Sequence, residues 1–328
     1  MRAAVLGGGS WGTALGALLA RSGHDVRLWL REESVARQIN AERQNGVYLP
    51  GVLLPEGLHA TLDLAEALRA AETVLMVIPS EFCREVYRRA APHVAPGATL
   101  VSATKGFELS TLKRMTEVAA EEVPGRPLAV LSGPSFALEV AREQPTAVVV
   151  ASAAPEVAEG LQQALSSRSF RAYASDDVVG VETAGALKNV SAIAAGILDG
   201  LGMGLNTAAA LVTRGLAELS RLVVAMGGRP DTASGLAGLG DLVLTCNGAL
   251  SRNRRLGQAL GRGLDLKQAQ AGTAMVAEGV RTTLAACDLA ARLGVEMPIA
   301  QQMRAVLYEG KPPREALEEL MLRRLKRE

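Results

Sequence analysis

Lys188 stands in the stretch VETAGALKNVSAIAAGILDG, where a helix would place Ala184, Gly185, Ser191 and Ala192 three and four positions away. A lysine buried among such residues loses its water and its pKa falls, so an unpaired one is costly to keep for packing alone. On a helix face that meets a cleft it is a candidate acid and base. A hydride transfer to a carbonyl needs a proton at the oxygen, and histidine is the usual carrier. Only His24, His59 and His93 occur here, at a strand start, in a loop and at a helix end, and none is well placed. The ordinary alternative is a lysine whose stem lies on apolar surface while its ammonium reaches water.

Other polar residues stand just after apolar runs. Lys105 and Gly106 follow ATLVSAT, and Gly133, Pro134 and Ser135 follow PLAVLS. In an open parallel sheet, ligands sit beyond the carboxyl ends of the strands, so Lys105 is placed to meet an anionic substrate. Gly133 would let that ligand approach and Ser135 would offer a hydroxyl; the alternative is a turn with Ser135 as N-cap of a helix ALEVARE. Asp241 follows the glycine-rich AGLG, where it could hold a lysine ammonium or a substrate hydroxyl. In SRNRRLG, Ser251 reads as an N-cap with Arg252, Asn253, Arg254 and Arg255 in the first turn. Cations there oppose the helix dipole unless an anion occupies the site, and a phosphate would reverse the sign. A basic surface turn is the competing reading.

These residues need a frame, and the amino-terminal stretch supplies it. In MRAAVLGGGSWGTALG, an apolar strand runs into Gly7, Gly9 and Gly12 in the order G-x-G-x-x-G and then into an apolar helix, with a second strand at DVRLWL. The three glycines serve a tight turn, close backbone approach to a pyrophosphate and close helix packing. Ser10 and Trp11 fall where the backbone bends over the phosphates. About 20 residues on, NAD enzymes place an acid for the ribose 2′-hydroxyl. That count reaches Arg31, which favours a 2′-phosphate and therefore NADP; Glu32 and Glu33 follow at once and leave NAD open.

The sequence predicts an α/β Rossmann-type N-terminal domain with a mostly parallel sheet over residues 1–178 and an all-α C-terminal domain over 179–328. Strands are expected at AAVLG, DVRLWL, TVLMVIPS, ATLVSATKG, PLAVLSGPS, PTAVVVAS and SFRAYAS, after which Ala, Leu and Gly at helical spacing take over. No linker separates the halves, so an extensive interface with a cleft is expected. The final PREALEELMLRRLKRE reads as an amphipathic helix with acids early and bases late. A net charge of +1 and ten aromatic residues argue against a nucleic-acid or membrane-surface partner and for a small ligand. Cys83, Cys246 and Cys287 form no C-x-x-C pair, which suggests neither a disulfide framework nor a metal site and fits a reducing cytoplasm. A first strand at residue 2 leaves no room for a cleavable leader, and no apolar run reaches membrane-spanning length. Oligomeric state is open, with a homodimer admitted.

The stretches GGGSWGTAL, ATKGFE, SGPSFALE, GALKNV, TRGLAELSRL, GLAGLGDLVLTC, SRNRRLG, VAEGVRTT and GVEMPI, in this order, resemble the bacterial NAD(P)-dependent glycerol-3-phosphate dehydrogenases from about residue 2 to 320. The resemblance implies a Rossmann domain with a helical domain, and interconversion of dihydroxyacetone phosphate and sn-glycerol 3-phosphate, a phospholipid precursor. It makes Lys188 the proton acceptor in the oxidation. It implies substrate contacts at Lys105, Gly133, Ser135, Asp241, Ser251, Arg252 and Asn253. For the nucleotide it implies Ser10, Trp11, Arg31, Lys105, Ala137, Arg252, Val276 and Glu278, of which Ala137, Val276 and Glu278 rest on resemblance alone. Two rivals remain: a related two-domain dehydrogenase for a hydroxy acid, which would not need SRNRR, and a non-catalytic NADP-binding redox sensor with a structural Lys188.

Overall fold

The computed structural model describes residues 1–271 and 277–324. The first half alternates strands and helices: β1 (Arg2–Leu6), α1 (Ser10–Arg21), β2 (Asp25–Trp29), α2 (Glu33–Glu42), β3 (Leu58–Thr61), α3 (Leu64–Leu68), β4 (Thr73–Met76) and α4 (Ser80–Ala90). It continues through β5 (Thr99–Ser102), α5 (Met115–Glu122), β6 (Leu128–Ser132), α6 (Ala137–Ala141), β7 (Thr146–Ala151), α7 (Pro155–Leu165) and β8 (Phe170–Ser175). Helices follow: α8 (Val178–Gly200), α9 (Leu205–Ala225), α10 (Pro230–Ser234), α11 (Asp241–Asn247), α12 (Arg252–Gly261) and α13 (Leu266–Gln270). The last three are α14 (Glu278–Leu293), α15 (Pro298–Tyr308) and α16 (Pro313–Met321). No described helix is long and apolar enough to cross a membrane.

The eight strands form one sheet in the order β3-β2-β1-β4-β5-β6-β7-β8. All pairs are parallel except β6 with β7. Strands β1, β4 and β5 read as apolar runs because helices cover both faces. One core, with Leu15, Leu19, Val26 and Leu28, lies under α1; the other, with Leu68, Met76, Tyr87 and Val118, lies under α3, α4 and α5. The reversal of winding between β1 and β4 leaves a crevice at the carboxyl ends of these strands, where a doubly wound sheet takes its ligand.

Seven strands match the sequence expectation, and the eighth, β3, was not foreseen. Its four residues, LHAT, offer no apolar run; it is an edge strand held by its pairing with β2. His59 therefore lies in a strand rather than a loop. The expected carboxyl-terminal helix ends at Met321, and residues 325–328 lie outside the described residues.

Helix α8 organises the second half. It is buried continuously from Gly180 to Leu198, without the polar face that a surface helix keeps. Glycines set its approach to α12: a Cβ on Gly196 would lie 2.0 Å from the Arg254 carbonyl oxygen, and one on Gly257 would lie 2.0 Å from that of Ile193. Gly200 and Gly261, each four residues further on, meet in the same way. The two helices thus pack backbone to backbone, which fixes the start of α12 relative to Lys188. Toward the sheet, Gly185 sits against the Ser132 hydroxyl, where a Cβ would come within 2.3 Å. Glu182 accepts the Thr116 backbone N–H at 2.8 Å and an Arg114 guanidinium N–H at 3.1 Å, tying α8 to the start of α5.

Candidate functional site

A cavity of about 560 Å³ opens at the sheet crevice and runs between the two halves. On one wall stand the glycine turn, Ser10, Trp11, Arg31 and Glu32; on the other stand Lys188, Asn189, Thr245, Ser251, Arg252, Asn253, Arg255 and Glu278. Lys105, Ser135 and Ala137 border it from the ends of β5 and β6.

Each glycine of the turn has its own physical reason. Gly7 has φ +127°, and a Cβ there would lie 2.3 Å from the Val77 carbonyl oxygen. A Cβ on Gly12 would strike the Gly7 carbonyl at 1.8 Å. Nothing lies within 4 Å of the Cβ position of Gly9, the N-cap of α1, and no side chain caps that helix. The first N–H groups of α1 are thus left for an anion. Trp11 Nε1 is a buried donor with no partner among the described residues. The residues present fit a dinucleotide, with its pyrophosphate at Gly9 to Trp11.

Lys188 is 7% exposed, and its Nζ donates to Asp241 Oδ1 at 2.8 Å and to Thr245 Oγ1 at 2.7 Å. Lys105 reaches the same carboxylate through Oδ2 and also donates to the Gly133 carbonyl at 3.1 Å. Asp241, 1% exposed, is therefore clamped between two ammonium groups brought from opposite halves. Burial pulls the Lys188 pKa down to about 8; Asp241 works against the fall and the Lys105 charge deepens it. Burial would raise the Asp241 carboxyl, but Lys105 and Lys188 outweigh it and hold the group below its ordinary value. A lysine in this state can both give and take a proton near neutral pH.

Ser251 caps α12, its Oγ accepting the Arg254 N–H at 3.2 Å. Asn253 donates to Asn189 Oδ1 at 2.8 Å and accepts the Gly279 N–H at 3.0 Å, so its side chain is locked across α8 and α14. Arg254 turns away to Asp199 at 2.7 Å. The side chains of Arg252 and Arg255 line the cavity and make no hydrogen bond or ion pair among the described residues, and the nearest opposite charge acting on Arg252 is the Glu278 carboxyl. A cation in the first turn of a helix costs about 0.3–1 kcal/mol, a cost that an anion in the cavity would reverse. Glu278 accepts the Ser80 hydroxyl at 3.1 Å and backbone N–H at 3.4 Å, and burial pushes its carboxyl up to about 7.

The remaining expected residues stand in varied surroundings. Gly133 does not line the cavity; it has φ +137°, and its Cβ position is closed by Val148 at 2.9 Å. Ser135 is not a helix cap: α6 starts at Ala137 after Phe136, and the Ser135 hydroxyl donates to the Gly133 carbonyl at 3.0 Å. Strand β2 ends at Trp29, so Arg31 and Glu32 both reach the cavity while Glu33 turns to Arg37 at 2.8 Å. Val276 lies outside the described residues. Thr245 and Asn189 went unread in the sequence, although Thr245 is four positions after Asp241 and so shares its helix face.

A sheet of this winding, opening beyond β1 onto a cavity shared with a helical half, is the build of a dinucleotide-linked dehydrogenase. Residues 2–158 match the model of the NAD-dependent glycerol-3-phosphate dehydrogenase N-terminus, and residues 177–318 match that of its C-terminus. The chain is 53% identical over 328 residues to a glycerol-3-phosphate dehydrogenase (NAD(P)+) of Geobacter sp. (strain M21), covering 99% of this chain and 98% of that protein. It is equally 53% identical over 331 residues to the enzyme of that name from Anaeromyxobacter dehalogenans, with all of both chains covered. A crystal structure of glycerol-3-phosphate dehydrogenase from Coxiella burnetii superimposes with a TM-score of 0.95 at 44% identity, covering 98% of this chain and 99% of that one. The chain belongs to the NAD-dependent glycerol-3-phosphate dehydrogenase family.

Proposed function

We propose that this chain interconverts dihydroxyacetone phosphate and sn-glycerol 3-phosphate with NAD(P)H, and so supplies the glycerol phosphate from which phospholipids are built. Bound reduced nicotinamide supplies the hydride. The Lys188 ammonium donates its proton to the ketone oxygen as that oxygen gains charge, and in the reverse direction neutral Lys188 takes the hydroxyl proton. Asp241 and Thr245 aim the ammonium, and Lys105 adds a second positive charge beside the developing alkoxide, the preorganised stabilisation that lowers such barriers. Arg252, with the Ser251 and Asn253 side chains at the start of α12, holds the substrate phosphate and sets the ketone at transfer distance. Arg31 faces the 2′ position of the nucleotide and favours NADPH. Residues 1–178 hold the nucleotide and residues 179–328 close over the substrate.

The observation that supports this reading best is the buried Lys188 on the wall of the cavity, paired to Asp241 at 2.8 Å and sharing that wall with two arginines whose side chains make no ion pair among the described residues. An anionic carbonyl substrate satisfies both features at once, and a hydroxy acid would leave the second arginine unused. Cys83, Cys246 and Cys287 are buried free thiols, which suits a reducing cytoplasm. The test is oxidation of NADPH and NADH with dihydroxyacetone phosphate, in the parent and in Lys188→Ala. The variant should lose about 100-fold to 10,000-fold or more in turnover while still binding NADPH. Near-normal turnover would remove Lys188 from the chemistry.

A further inference from the structure

The loop between α2 and β3 crosses the nucleotide end of the cavity and is fastened there. Asn45, fully buried, donates through Nδ2 to the Gly8 carbonyl at 3.0 Å and to Thr13 Oγ1 at 2.9 Å, while its Oδ1 accepts the Tyr48 N–H at 3.0 Å. The Tyr48 carbonyl accepts the Ser10 hydroxyl. The Tyr48 carbonyl is thus tied to the start of α1 and its N–H, through Asn45, to the glycine turn, while the side chain packs half-buried against the core under α1. From there the phenol donates to Glu32 Oε1 at 3.3 Å. Glu32 follows Arg31 directly, and Arg31, Glu32 and Tyr48 all line the same cavity. Burial and the Glu32 charge raise the Tyr48 pKa, which keeps the phenol protonated and a donor at neutral pH.

A carboxylate beside Arg31 has two consequences for a nucleotide ribose. Free to move, it accepts the 2′- and 3′-hydroxyls of NADH and repels the 2′-phosphate of NADPH. Held by a phenol, it spends a lone pair on the protein, is less available to the ribose, and leaves the Arg31 guanidinium to the phosphate. We propose that Tyr48 is a specificity-determining residue that shifts the enzyme toward NADPH by holding the Glu32 carboxylate. This rests on the reading above, in which Arg31 faces the nucleotide ribose, with Glu32 next to it on the cavity wall. Tyr48 acts through Glu32 and is a positioning residue rather than a catalytic one.

The test is a double-mutant cycle of Tyr48→Phe and Glu32→Gln, read as the ratio of kcat/KM for NADPH to that for NADH at saturating dihydroxyacetone phosphate. Removal of a hydrogen bond to a charged group should lower the ratio by about tenfold or more in Tyr48→Phe. Glu32→Gln should raise it. In the Glu32→Gln background, Tyr48→Phe should leave the ratio unchanged, because no carboxylate remains to be released. Equal losses for both nucleotides in Tyr48→Phe would make the tyrosine merely structural and overturn the proposal. The same fall in ratio in the Glu32→Gln background would overturn it too, since the effect would not pass through Glu32. If Glu32→Gln and Arg31→Ala both leave the ratio unchanged, the ribose does not lie there, and the underlying placement fails along with the proposal.

Discussion

Replacing Asp241 by Asn keeps the shape of the clamp and removes its charge. Two ammonium groups, from Lys105 and Lys188, would then share a neutral amide whose nitrogen cannot accept from either. Lys188 sits at about 8 because burial and Lys105 lower it while Asp241 supports it. An opposite charge at hydrogen-bond distance shifts a pKa by about 1–3 units, so a loss of ~2 units would bring Lys188 to about 6. At pH 7 the protonated fraction would fall from roughly nine-tenths to roughly one-tenth, and the ketone reduction would slow about ninefold from ionisation alone. Misaiming of the ammonium adds to this, up to about 100-fold for an ångström of displacement. The distinguishing measurement is the pH profile of kcat/KM for dihydroxyacetone phosphate from pH 5.5 to 9.5, compared with the parent so that titration of the substrate phosphate cancels. The ammonium is the donor, so reduction falls as pH rises through the Lys188 pKa, and this alkaline limb should move to lower pH in the variant. Oxidation needs neutral Lys188, and its rising limb should move the same way. A variant that is slower but keeps both limbs where the parent has them would refute the electrostatic role of Asp241 and leave it only an orienting one.

Three further outcomes follow from the same geometry. Arg252→Ala should raise KM for dihydroxyacetone phosphate and lower kcat while the fold is retained, because it removes a cation from the positive end of a helix and leaves the Ser251 cap; unchanged steady-state constants would mean that the start of α12 is not the phosphate site. Gly12→Ala forces the Gly7 carbonyl to shift, since the added Cβ lies 1.8 Å from its oxygen; melting should show a loss of about 1–3 kcal/mol, and nucleotide titration a weaker Kd. Glu218, 5% exposed and accepting the Ile299 N–H at 2.6 Å, is pushed by burial up to about 7 in the folded chain. A folded pKa above the unfolded one favours folding below about pH 4.5 and loses that benefit as pH rises through about 7, a swing of about 3 kcal/mol. Glu218→Gln should therefore gain stability relative to the parent from pH 5 to pH 8 in thermal melts, and a constant difference across that range would contradict the assignment.

Features legible in the sequence were those whose physics is local. The order Gly7, Gly9, Gly12 needed only its flanking strand and helix to be read, and the structure gives Gly7 and Gly12 a steric reason each while the space at Gly9 is open. Lys188 was legible for the opposite cause: a charge in an apolar helix demands a partner, and the demand shows even when the partner does not. What escaped depends on crossings. β3 exists because β2 offers its edge, not because LHAT favours a strand. For Ser135 the sequence left open a hydroxyl for a ligand or a helix cap; the cap fails because α6 starts only at Ala137, and the hydroxyl donates to the Gly133 carbonyl in a turn that Val148 constrains from a neighbouring strand. The approach of α8 to α12 had a visible signal, glycines four apart in both helices, but the signal becomes a contact only if the two faces are paired. That pairing decides the chemistry. It brings the cap of α12 beside Lys188, while the start of α11 delivers Asp241 between that lysine and Lys105 at the sheet end. A pocket that must hold a phosphate and move a proton needs cations from several segments within a few ångströms of one another. Burying such charges is costly unless a carboxylate lies among them. Asp241 supplies it, and one carboxylate shared by two ammonium groups is the arrangement in which Lys188 can stay desolvated and still titrate near neutrality.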